Sequence, residues 1–224
     1  MSDSKVAAIR MREEIPKYEI TLGPASSYAY VTDPRHLLFT LSRYKFVAKM
    51  LSGLEHVCEV GCFDGLGAPL VAQEVKHLLC TDIDLEVLAG NGSRMRNFGN
   101  IQFAYADFRK PPMIRDFDAL YHIDVLEHIF PEEEAAFMRN TVAILKPGGV
   151  MLIGTPNQDA ARHASKFSNE GHVNLKTHDS LKELCLRYFD NVFMFSMNDE
   201  MVHTGFSPLA HYLWALCASQ RERT

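Results

Sequence analysis

A glycine-rich turn that follows an apolar run is the group of residues in this chain best suited to build a ligand site. The run from Val57 to Gly67 joins an apolar segment to a turn that carries Gly61 and Gly65. Glycine lets the backbone turn tightly and approach a ligand closely, and a helix starting near Leu66 would direct free backbone N–H groups into the same space. This combination predicts a nucleotide-type cofactor site.

Acidic residues end three further apolar runs, and their positions strengthen this prediction. Asp82 follows the first run, Asp107 the second and Asp124 the third. In an open parallel sheet, ligands bind outside the carboxyl ends of the strands. The three acids and the glycine turn are therefore expected along one crevice.

The order of apolar runs and helical patterns predicts the elements that position these residues. Strands are expected near residues 57–61, 77–81, 101–105, 118–123 and 149–154, with helical stretches between them. This alternation is typical of βαβ units and of a parallel sheet. Two later runs, 191–195 and 211–216, predict the last two of seven strands.

The first 53 residues are interpreted as an added cap, and residues 54–224 as the main domain. Asp33 and Pro34 form a good helix start, and Gly53 ends the helical pattern that follows. The segment 22–30 has no clean period and is predicted to be a lid or loop. A long polar connection, residues 157–178, is predicted to be a substrate loop.

These motifs together resemble the class I S-adenosylmethionine-dependent methyltransferases. Residues 59–65 resemble the acid-x-Gly-x-Gly-x-Gly loop of that family, residues 123–128 its segment after strand four, and residues 145–149 its turn before strand five. Phe63 departs from the pattern, because it stands where the family usually has its middle glycine. The chain is similar in particular to ubiquinone-pathway O-methyltransferases, and its flanks are similar to methyltransferases of bacterial sugar and polysaccharide pathways.

The resemblance implies a Rossmann-like α/β fold with a mostly parallel seven-stranded sheet, helices on both faces and an antiparallel pair of C-terminal strands. It also implies S-adenosyl-L-methionine as cofactor and S-adenosyl-L-homocysteine as product. Asp82 would bind the ribose, Asp107 would face the adenine amine, and Arg43 would meet the carboxylate of the cofactor. The full set of expected cofactor residues is Arg43, Glu59, Gly61, Cys62, Asp64, Gly65, Asp82, Ile83, Asp107, Phe108, Ile123 and Asp124.

A dinucleotide-dependent enzyme is the competing interpretation, since such enzymes also place an acid about 20 residues beyond a glycine loop. The loop here does not fit Gly-x-Gly-x-x-Gly from Gly61. Glu59 and Asp64 would repel a pyrophosphate, whereas carboxylates attract a sulfonium and an ammonium group. The methyltransferase interpretation is favoured.

Histidines in three stretches are candidates for acceptor chemistry. His128 and His172 are the candidate bases, and His128 is preferred because its place after a strand needs no loop closure. Each also has a structural interpretation, as a residue near a helix start for His128 and as a solvated loop residue for His172. The expected acceptor-binding residues are Tyr28, Tyr30, Asn157, His163, Asn174 and His203.

No metal site is expected, although His122, Asp124 and His128 could converge. The formal net charge of −5 and the scattered lysines and arginines argue against a nucleic-acid partner. No run reaches the ~18 apolar residues of a membrane span. Five cysteines, with Cys58 and Cys80 in apolar runs, favour reduced thiols and a cytoplasmic protein. The expected partner is a small-molecule acceptor, and a homodimer is left open.

The sequence therefore predicts a methyltransferase that acts on the hydroxyl of a small polar acceptor, with a sugar or nucleotide-sugar as the leading substrate class. A quinone or phenol O-methyltransferase is the alternative, and an apolar pocket rich in Phe and Met would favour it. A small-molecule N-methyltransferase is a further alternative. A non-catalytic, cofactor-binding regulatory subunit is the alternative from a different class, and only the departure at Phe63 suggests it.

Overall fold

The structure is a computed structural model that describes residues 3–15, 19–163 and 170–221 of the 224-residue chain. The α-helices used below are α1 Asp3–Glu14, α2 Pro24–Thr32, α3 Pro34–Met50, α4 Ala68–Ala72, α5 Leu85–Arg94, α6 Pro131–Val142 and α7 His178–Leu186. The strands are β1 His56–Val60, β2 His77–Asp82, β3 Ile101–Tyr105, β4 Phe117–Ile123, β5 Leu145–Pro156, β6 Phe189–Asn198, β7 Met201–His203 and β8 Tyr212–Gln220.

One sheet of eight strands organises the domain, in the order β3-β2-β1-β4-β5-β8-β6-β7. Strands β1 to β5 run parallel to one another, and β8 pairs antiparallel with both β5 and β6. The predicted α/β fold with its antiparallel C-terminal strands is confirmed. The predicted count of seven is wrong by one, because Met201–His203 pairs with residues 196–198 as a short edge strand.

Helices cover both faces of the sheet, as the sequence predicts. On one face, α3, α4 and α5 bury apolar side chains that include Val47, Val71 and Leu88. On the other face, α6 and α7 contribute Phe137 and Leu181. The strands of the parallel part are buried from both sides, which explains why they form nearly continuous apolar runs in the sequence.

Local capping explains where the helices begin. The Asp33 side chain accepts a hydrogen bond from the backbone N–H of His36, and Pro34 occupies the first turn of α3. At the start of α5, the Asp84 side chain accepts hydrogen bonds from the backbone N–H groups of Glu86 and Val87. Thr177 and Ser180 form a reciprocal capping box at the start of α7. The predicted helix start at Asp33 is confirmed.

The N-terminal segment differs from its prediction in one respect. Residues 24–32 form the helix α2, so the predicted irregular loop over residues 22–30 is wrong, and the role of this segment as a lid stays a prediction. Helix α3 packs its Tyr44 into the same core as the sheet, so close to Gly67 that a Cβ there would lie 1.9 Å from the ring. The division of the chain at residue 53 stays a prediction.

All five cysteines are buried and free, which agrees with the reduced thiols expected from the sequence. Within the described ranges, no helix is both long enough and apolar enough to cross a membrane.

Candidate functional site

A cavity of about 540 Å³ opens at the carboxyl ends of β1, β2, β3 and β4. This is the edge of the sheet at which α/β proteins bind ligands, next to the point where the strand order reverses between β1 and β4. Nine of the expected cofactor residues line it, namely Gly61, Cys62, Asp64, Asp82, Ile83, Asp107, Phe108, Ile123 and Asp124. The crevice predicted from the acids and the glycine turn is therefore present.

Asp82 is held at the floor of this cavity by two backbone donors. Its Oδ2 accepts the N–H of Phe63 at 2.8 Å, and its Oδ1 accepts the N–H of Asp84 at 2.9 Å. Carboxylate oxygens keep further lone pairs when each accepts one bond. Asp82 is thus oriented in advance and can still accept two hydroxyl groups of a ligand.

Phe63 adopts the left-handed backbone conformation that its place in the glycine pattern requires, with φ +44°. Its backbone N–H donates a hydrogen bond to Asp82, and its carbonyl oxygen accepts one from the Asn91 side-chain amide at 2.7 Å. These two bonds stabilise a conformation that costs a non-glycine residue of order 1 kcal/mol. The Phe63 ring is half-exposed and lines the cavity, so it does not close the site.

Asp107 also lines the cavity, and a neighbouring arginine neutralises it. Arg109 binds both carboxylate oxygens of Asp107, through Nε at 2.9 Å and through a terminal nitrogen at 3.1 Å. This bidentate pair lowers the pKa of Asp107, so the carboxylate is ionised. Arg109 lines the cavity too, and the sequence analysis did not identify it.

Glu59 does not contact the cavity, which corrects its expected role. Its side chain is buried beneath the glycine turn, where Oε1 accepts the Tyr44 hydroxyl at 2.7 Å and Oε2 accepts the Cys80 thiol at 3.3 Å. Burial raises the pKa of Glu59. Gly65 is also absent from the cavity lining and instead provides a turn with φ +74°. Both residues position the loop that lines the site.

The Arg43 side chain pairs with protein groups and is not among the residues that line the cavity, so its expected contact with a cofactor carboxylate stays a prediction. Its guanidinium lies 2.5 Å from Oδ2 of Asp124 and 4.0 Å from the centre of the Tyr212 ring. Asp124 itself has φ +56°, so its backbone departs from the strand just where its side chain meets Arg43. The pair fixes the start of the segment that follows β4.

Asp64 ties helix α2 to the glycine turn. The Asp64 carboxylate accepts the backbone N–H of Ser26 at 2.8 Å and the Ser26 hydroxyl at 2.9 Å. Ser26 lies in the first turn of α2, where backbone N–H groups and the helix dipole favour an anion. Ala25 and Ala29 then face the cavity, so α2 forms one of its walls. Contact of Asp64 with a cofactor stays a prediction.

Three chemically reactive side chains meet beyond the end of β4. Glu127 and His128 belong to a short 3₁₀ helix, Leu126–His128, and His172 comes from the later polar connection. The His128 and His172 rings lie edge to face with centres 5.1 Å apart. His128 Nδ1 lies 2.9 Å from the carbonyl oxygen of Gly171. The two histidines that the sequence predicts as candidate bases are therefore neighbours.

Glu127 is fully buried, and the sequence analysis did not assign it a role. Its Oε2 accepts the Thr155 hydroxyl at 3.0 Å, whereas its Oε1 has no hydrogen-bond partner among the described residues. Burial and the nearby Asp124 carboxylate raise the pKa of Glu127 to about 8. Burial and the neighbouring His128 lower the pKa of His172.

A second cavity of about 180 Å³ adjoins this group on the side of β5. Its lining includes His172 together with His163, Asn157 and His211. His128 lines the larger cavity and His172 the smaller one, so the histidine pair stands at the junction of the two spaces. His211 is a lining residue that the sequence analysis missed. Residues 164–169 of the predicted substrate loop lie outside the described residues.

Two asparagines expected to bind the acceptor have structural roles. The Asn157 side-chain amide donates to the carbonyls of Ser207 and Ala210, and its Oδ1 accepts the N–H of Asp159. Asn174 bridges Glu134 and Lys176, which also form an ion pair. These bonds tie both side chains to the protein, and their expected contact with an acceptor stays a prediction, although Asn157 lines the second cavity.

Three other expected acceptor residues line neither cavity. Tyr28 and Tyr30 are exposed on the outer face of α2, because the helix presents Ala25 and Ala29 inward in their place. His203 lies on the edge strand β7, where its Nδ1 accepts the N–H of Gly205 and its Nε2 bonds Asn198. His163 lines the second cavity, and its Nε2 accepts the Nε–H of Arg162 at 3.0 Å.

The convergence of His122 with Asp124 and His128 does not occur. The His122 ring is buried and packs edge-on against Phe137, with ring centres 5.5 Å apart. Burial lowers the pKa of His122 to about 3, so the ring is neutral.

Comparison with known protein families identifies a methyltransferase domain over residues 58–153 of this chain. A probable S-adenosylmethionine-dependent methyltransferase of Mycolicibacterium smegmatis is 28% identical over 116 residues, an alignment that covers 51% of this chain and 43% of the relative. A fatty-acid O-methyltransferase of the same species is 30% identical over 100 residues. That alignment covers 44% of this chain and 36% of the relative. The chain thus spans less than half the length of these relatives.

Solved structures share the fold. The methyltransferase domain of bacterial CtHen1-C superposes with a TM-score of 0.67 at 16% identity, covering 81% of this chain and 98% of that one. The N-methyltransferase NodS from Bradyrhizobium japonicum, in complex with S-adenosyl-L-homocysteine, gives a TM-score of 0.60 at 18% identity, covering 83% of this chain and 86% of that one.

Proposed function

The chain carries a class I S-adenosylmethionine-dependent methyltransferase domain, and from this premise we propose that it moves a methyl group from S-adenosyl-L-methionine to an oxygen of a small polar acceptor. The observation that supports this most is the junction of the two cavities. The larger one holds the cofactor-type residues, the smaller one has three histidines in its lining, and His128 and His172 stand between them.

In the proposed reaction, the acceptor oxygen attacks the sulfonium methyl group. The S–CH₃ bond breaks as the O–CH₃ bond forms, the sulfur keeps the electron pair, and S-adenosyl-L-homocysteine and one proton are released. The sulfonium is already electrophilic, so the protein mainly brings the oxygen into line and assists removal of its proton. Asp82 and Asp107 are the proposed ribose and adenine partners, since both line the larger cavity with oriented carboxylates.

His128 is placed to act on the acceptor proton. A carbonyl oxygen only accepts hydrogen bonds, so the contact with Gly171 requires a proton on Nδ1 of His128 and leaves the lone pair on Nε2. A positioned base of this kind typically accelerates proton removal by 10²–10⁴-fold.

A sugar or nucleotide-sugar hydroxyl is the leading acceptor class, and the imidazoles of the second cavity support it. The lining contains three histidines, His163, His172 and His211, beside Asn157 and four apolar residues, Pro156, Ala160, Ala161 and Leu175, with no Phe or Met among the described residues. The imidazoles can form hydrogen bonds with a hydroxyl, whereas a quinone or phenol would find no Phe, Tyr or Trp ring among the described lining residues to stack on. A cytoplasmic location, the absence of a nucleic-acid partner and a homodimer stay predictions.

The reaction class can be tested with the full chain, labelled S-adenosyl-L-methionine and four acceptor sets: sugars and nucleotide-sugars, phenols, carboxylic acids and amines. We expect labelled O-methyl products from the first set, together with equal amounts of S-adenosyl-L-homocysteine. Label on amines alone would replace the proposal with N-methylation. Tight cofactor binding without transfer to any set would favour the regulatory subunit. The His203→Ala variant is the matched histidine control, because His203 lines neither cavity.

A further inference from the structure

Glu127, His128 and His172 bring a carboxylate and two imidazoles to one point. One potential ligand atom from each residue lies within 4.8 Å of the other two. Donor atoms around a tetrahedral ion with bonds of about 2.1 Å lie roughly 3.4 Å apart. Small side-chain rotations therefore suffice to close this group around a cation. We propose that these three residues bind one divalent cation of the zinc type.

The buried carboxylate of Glu127 supplies the first independent argument. Its Oε1 is buried without a partner within the part of the chain that the structure describes. A buried polar atom without a partner costs of order 1–3 kcal/mol, and more when the group is charged. A cation bound at Oε1 would satisfy this atom, and the Thr155 hydroxyl would hold the other oxygen in place.

The orientation of His128 supplies the second argument. Metal-binding histidines commonly donate the N–H of one ring nitrogen to a backbone carbonyl or a carboxylate, which fixes the ring and leaves the other nitrogen free for the metal. The Gly171 carbonyl takes this role for Nδ1 of His128 at 2.9 Å. Nε2 of His128 is therefore oriented as a ligand before any ion arrives.

Backbone contacts hold the two ligand-bearing segments together. The carbonyl oxygen of Glu127 accepts the N–H of Val173 at 2.8 Å and the N–H of Asn174 at 3.0 Å. These bonds follow His172 by one and two residues, and the contact of His128 with the Gly171 carbonyl precedes it by one, so the backbone on both sides of His172 is held beside residues 127–128. Three ligands from two segments are thus positioned by a shared scaffold.

The ligand set indicates the class of ion. Two imidazoles and one carboxylate suit zinc and similar first-row divalent ions, whereas magnesium and calcium prefer a shell made of oxygens. Three protein ligands leave an open position, which is the arrangement of catalytic zinc sites. This inference replaces the metal-free site that the sequence predicts.

The position of the site suggests what the ion would do. His128 lines the cofactor cavity and His172 the second cavity, so an ion between them would face both spaces. An acceptor hydroxyl in the open position would lose its proton more easily, because a bound cation lowers the pKa of the oxygen that it coordinates. With the ion bound, Nε2 of His128 is a ligand and the ion activates the acceptor hydroxyl, so the role of His128 as a base applies to the metal-free chain. The role of the ion rests on the proposed function, whereas the binding of the ion does not.

The test uses the full chain without an affinity tag, first depleted of metal with a chelator. Calorimetric titration with ZnCl₂ should show one ion per chain, and CoCl₂ should give the visible absorption of a coordinated cobalt ion. Loss of a residue that only supports a ligand typically weakens metal binding 10–100-fold, and loss of a ligand itself should cost at least as much. Glu127→Gln, His128→Ala and His172→Ala should therefore each weaken zinc binding at least tenfold. His203→Ala should leave zinc binding unchanged.

Titration with S-adenosyl-L-homocysteine on the same samples separates this inference from the proposed function and reports whether each variant is folded. The Glu127→Gln variant is nearly isosteric, so it keeps the buried shape.

Zinc binding that is lost in the three variants while cofactor affinity is retained supports the site. Absence of zinc binding by the wild type at millimolar concentration, or equal binding by the wild type and Glu127→Gln, would overturn the inference even if the cofactor binds. Zinc binding without cofactor binding would instead uphold the metal site and reject the proposed function.

Discussion

The two sides of the crevice are held in place by different kinds of contact. On the cofactor side, the Asp82 carboxylate accepts backbone N–H groups from Phe63 and from Asp84, two residues further along the chain. On the acceptor side, His128 is oriented by the carbonyl of Gly171, which lies 43 residues away.

This difference has a functional consequence. Asp82 has a partner on each oxygen before a ligand binds, one in the glycine turn 19 residues earlier and one in its own loop, so its geometry is preset by the fold. Glu127 and His128 instead leave one carboxylate oxygen and one imidazole lone pair available. The cofactor side is built to receive one fixed ligand, and the acceptor side keeps reactive atoms unpaired for chemistry. Variants on the two sides should therefore separate affinity from turnover.

The largest expected effect is on turnover. His128→Ala should lower kcat by about 10²–10⁴-fold with nearly unchanged affinity for S-adenosyl-L-homocysteine, because the imidazole acts only when the acceptor oxygen loses its proton. Steady-state kinetics with the methylated acceptor, combined with calorimetry, measures both quantities. Full turnover in this variant would remove the functional contrast between the two sides.

The next effect is on cofactor affinity. Asp82→Ala should weaken binding of S-adenosyl-L-homocysteine by roughly 10- to 150-fold, since hydrogen bonds to a charged group are worth about 1.5–3 kcal/mol. Calorimetry on this variant measures the dissociation constant for S-adenosyl-L-homocysteine. The exposed Asp190, which pairs with Arg221 far along the chain, offers a control as Asp190→Ala. Equal affinities of the two variants would show that Asp82 does not bind the ligand.

Removal of the contact between α2 and the glycine turn should have a smaller effect. Ser26→Ala deletes the hydroxyl bond to Asp64 and keeps the backbone bond, so it should reduce the free energy of unfolding by about 1.5 kcal/mol, the low end for a hydrogen bond to a charged group, and speed hydrogen exchange in residues 24–32. Ser27→Ala is the matched control, because the Ser27 hydroxyl only meets the Leu22 carbonyl at the surface.

In the wild type, cofactor should slow the exchange of the same helix, since Ala25 and Ala29 form a wall of the cavity. Exchange that is identical with and without cofactor would argue against closure of α2 over the site.

The smallest effect is expected at the outer face of α2. Tyr30→Ala should change cofactor affinity and turnover by less than about 0.5 kcal/mol, as is typical of surface substitutions. Tyr30 is 62% exposed, and the ring lines neither cavity. Calorimetry and kinetics under the same conditions check this, and a tenfold loss would place Tyr30 back among the acceptor residues.

The strands and the cofactor acids could be predicted from the sequence because their signals are local. An apolar run that ends in an acid marks both a strand and the point where its side chain enters the crevice, as for Asp82. Strand β7 escaped prediction because three residues are too short for a periodic pattern. Helix α2 escaped because its apolar pattern is weak and Asp64, 38 residues from Ser26, stabilises its first turn.

The acceptor side could be predicted only in part. His128 and His172 were identified by residue type, but the role of Glu127 depends on its burial against Thr155, which no local pattern reveals. Asn157 and Asn174 have the residue type of ligand-binding groups, and their partners come from distant segments. Residue type therefore suggests candidates, and long-range contacts decide which of them remain free.

A crystal structure of the full chain with S-adenosyl-L-homocysteine tests the account most directly. We expect the ribose hydroxyls to donate hydrogen bonds to Asp82 and the adenine to lie next to Asp107. The sulfur should be directed toward the point where His128 meets His172. A ribose bound away from Asp82, or a sulfur that faces away from the two histidines, would contradict it.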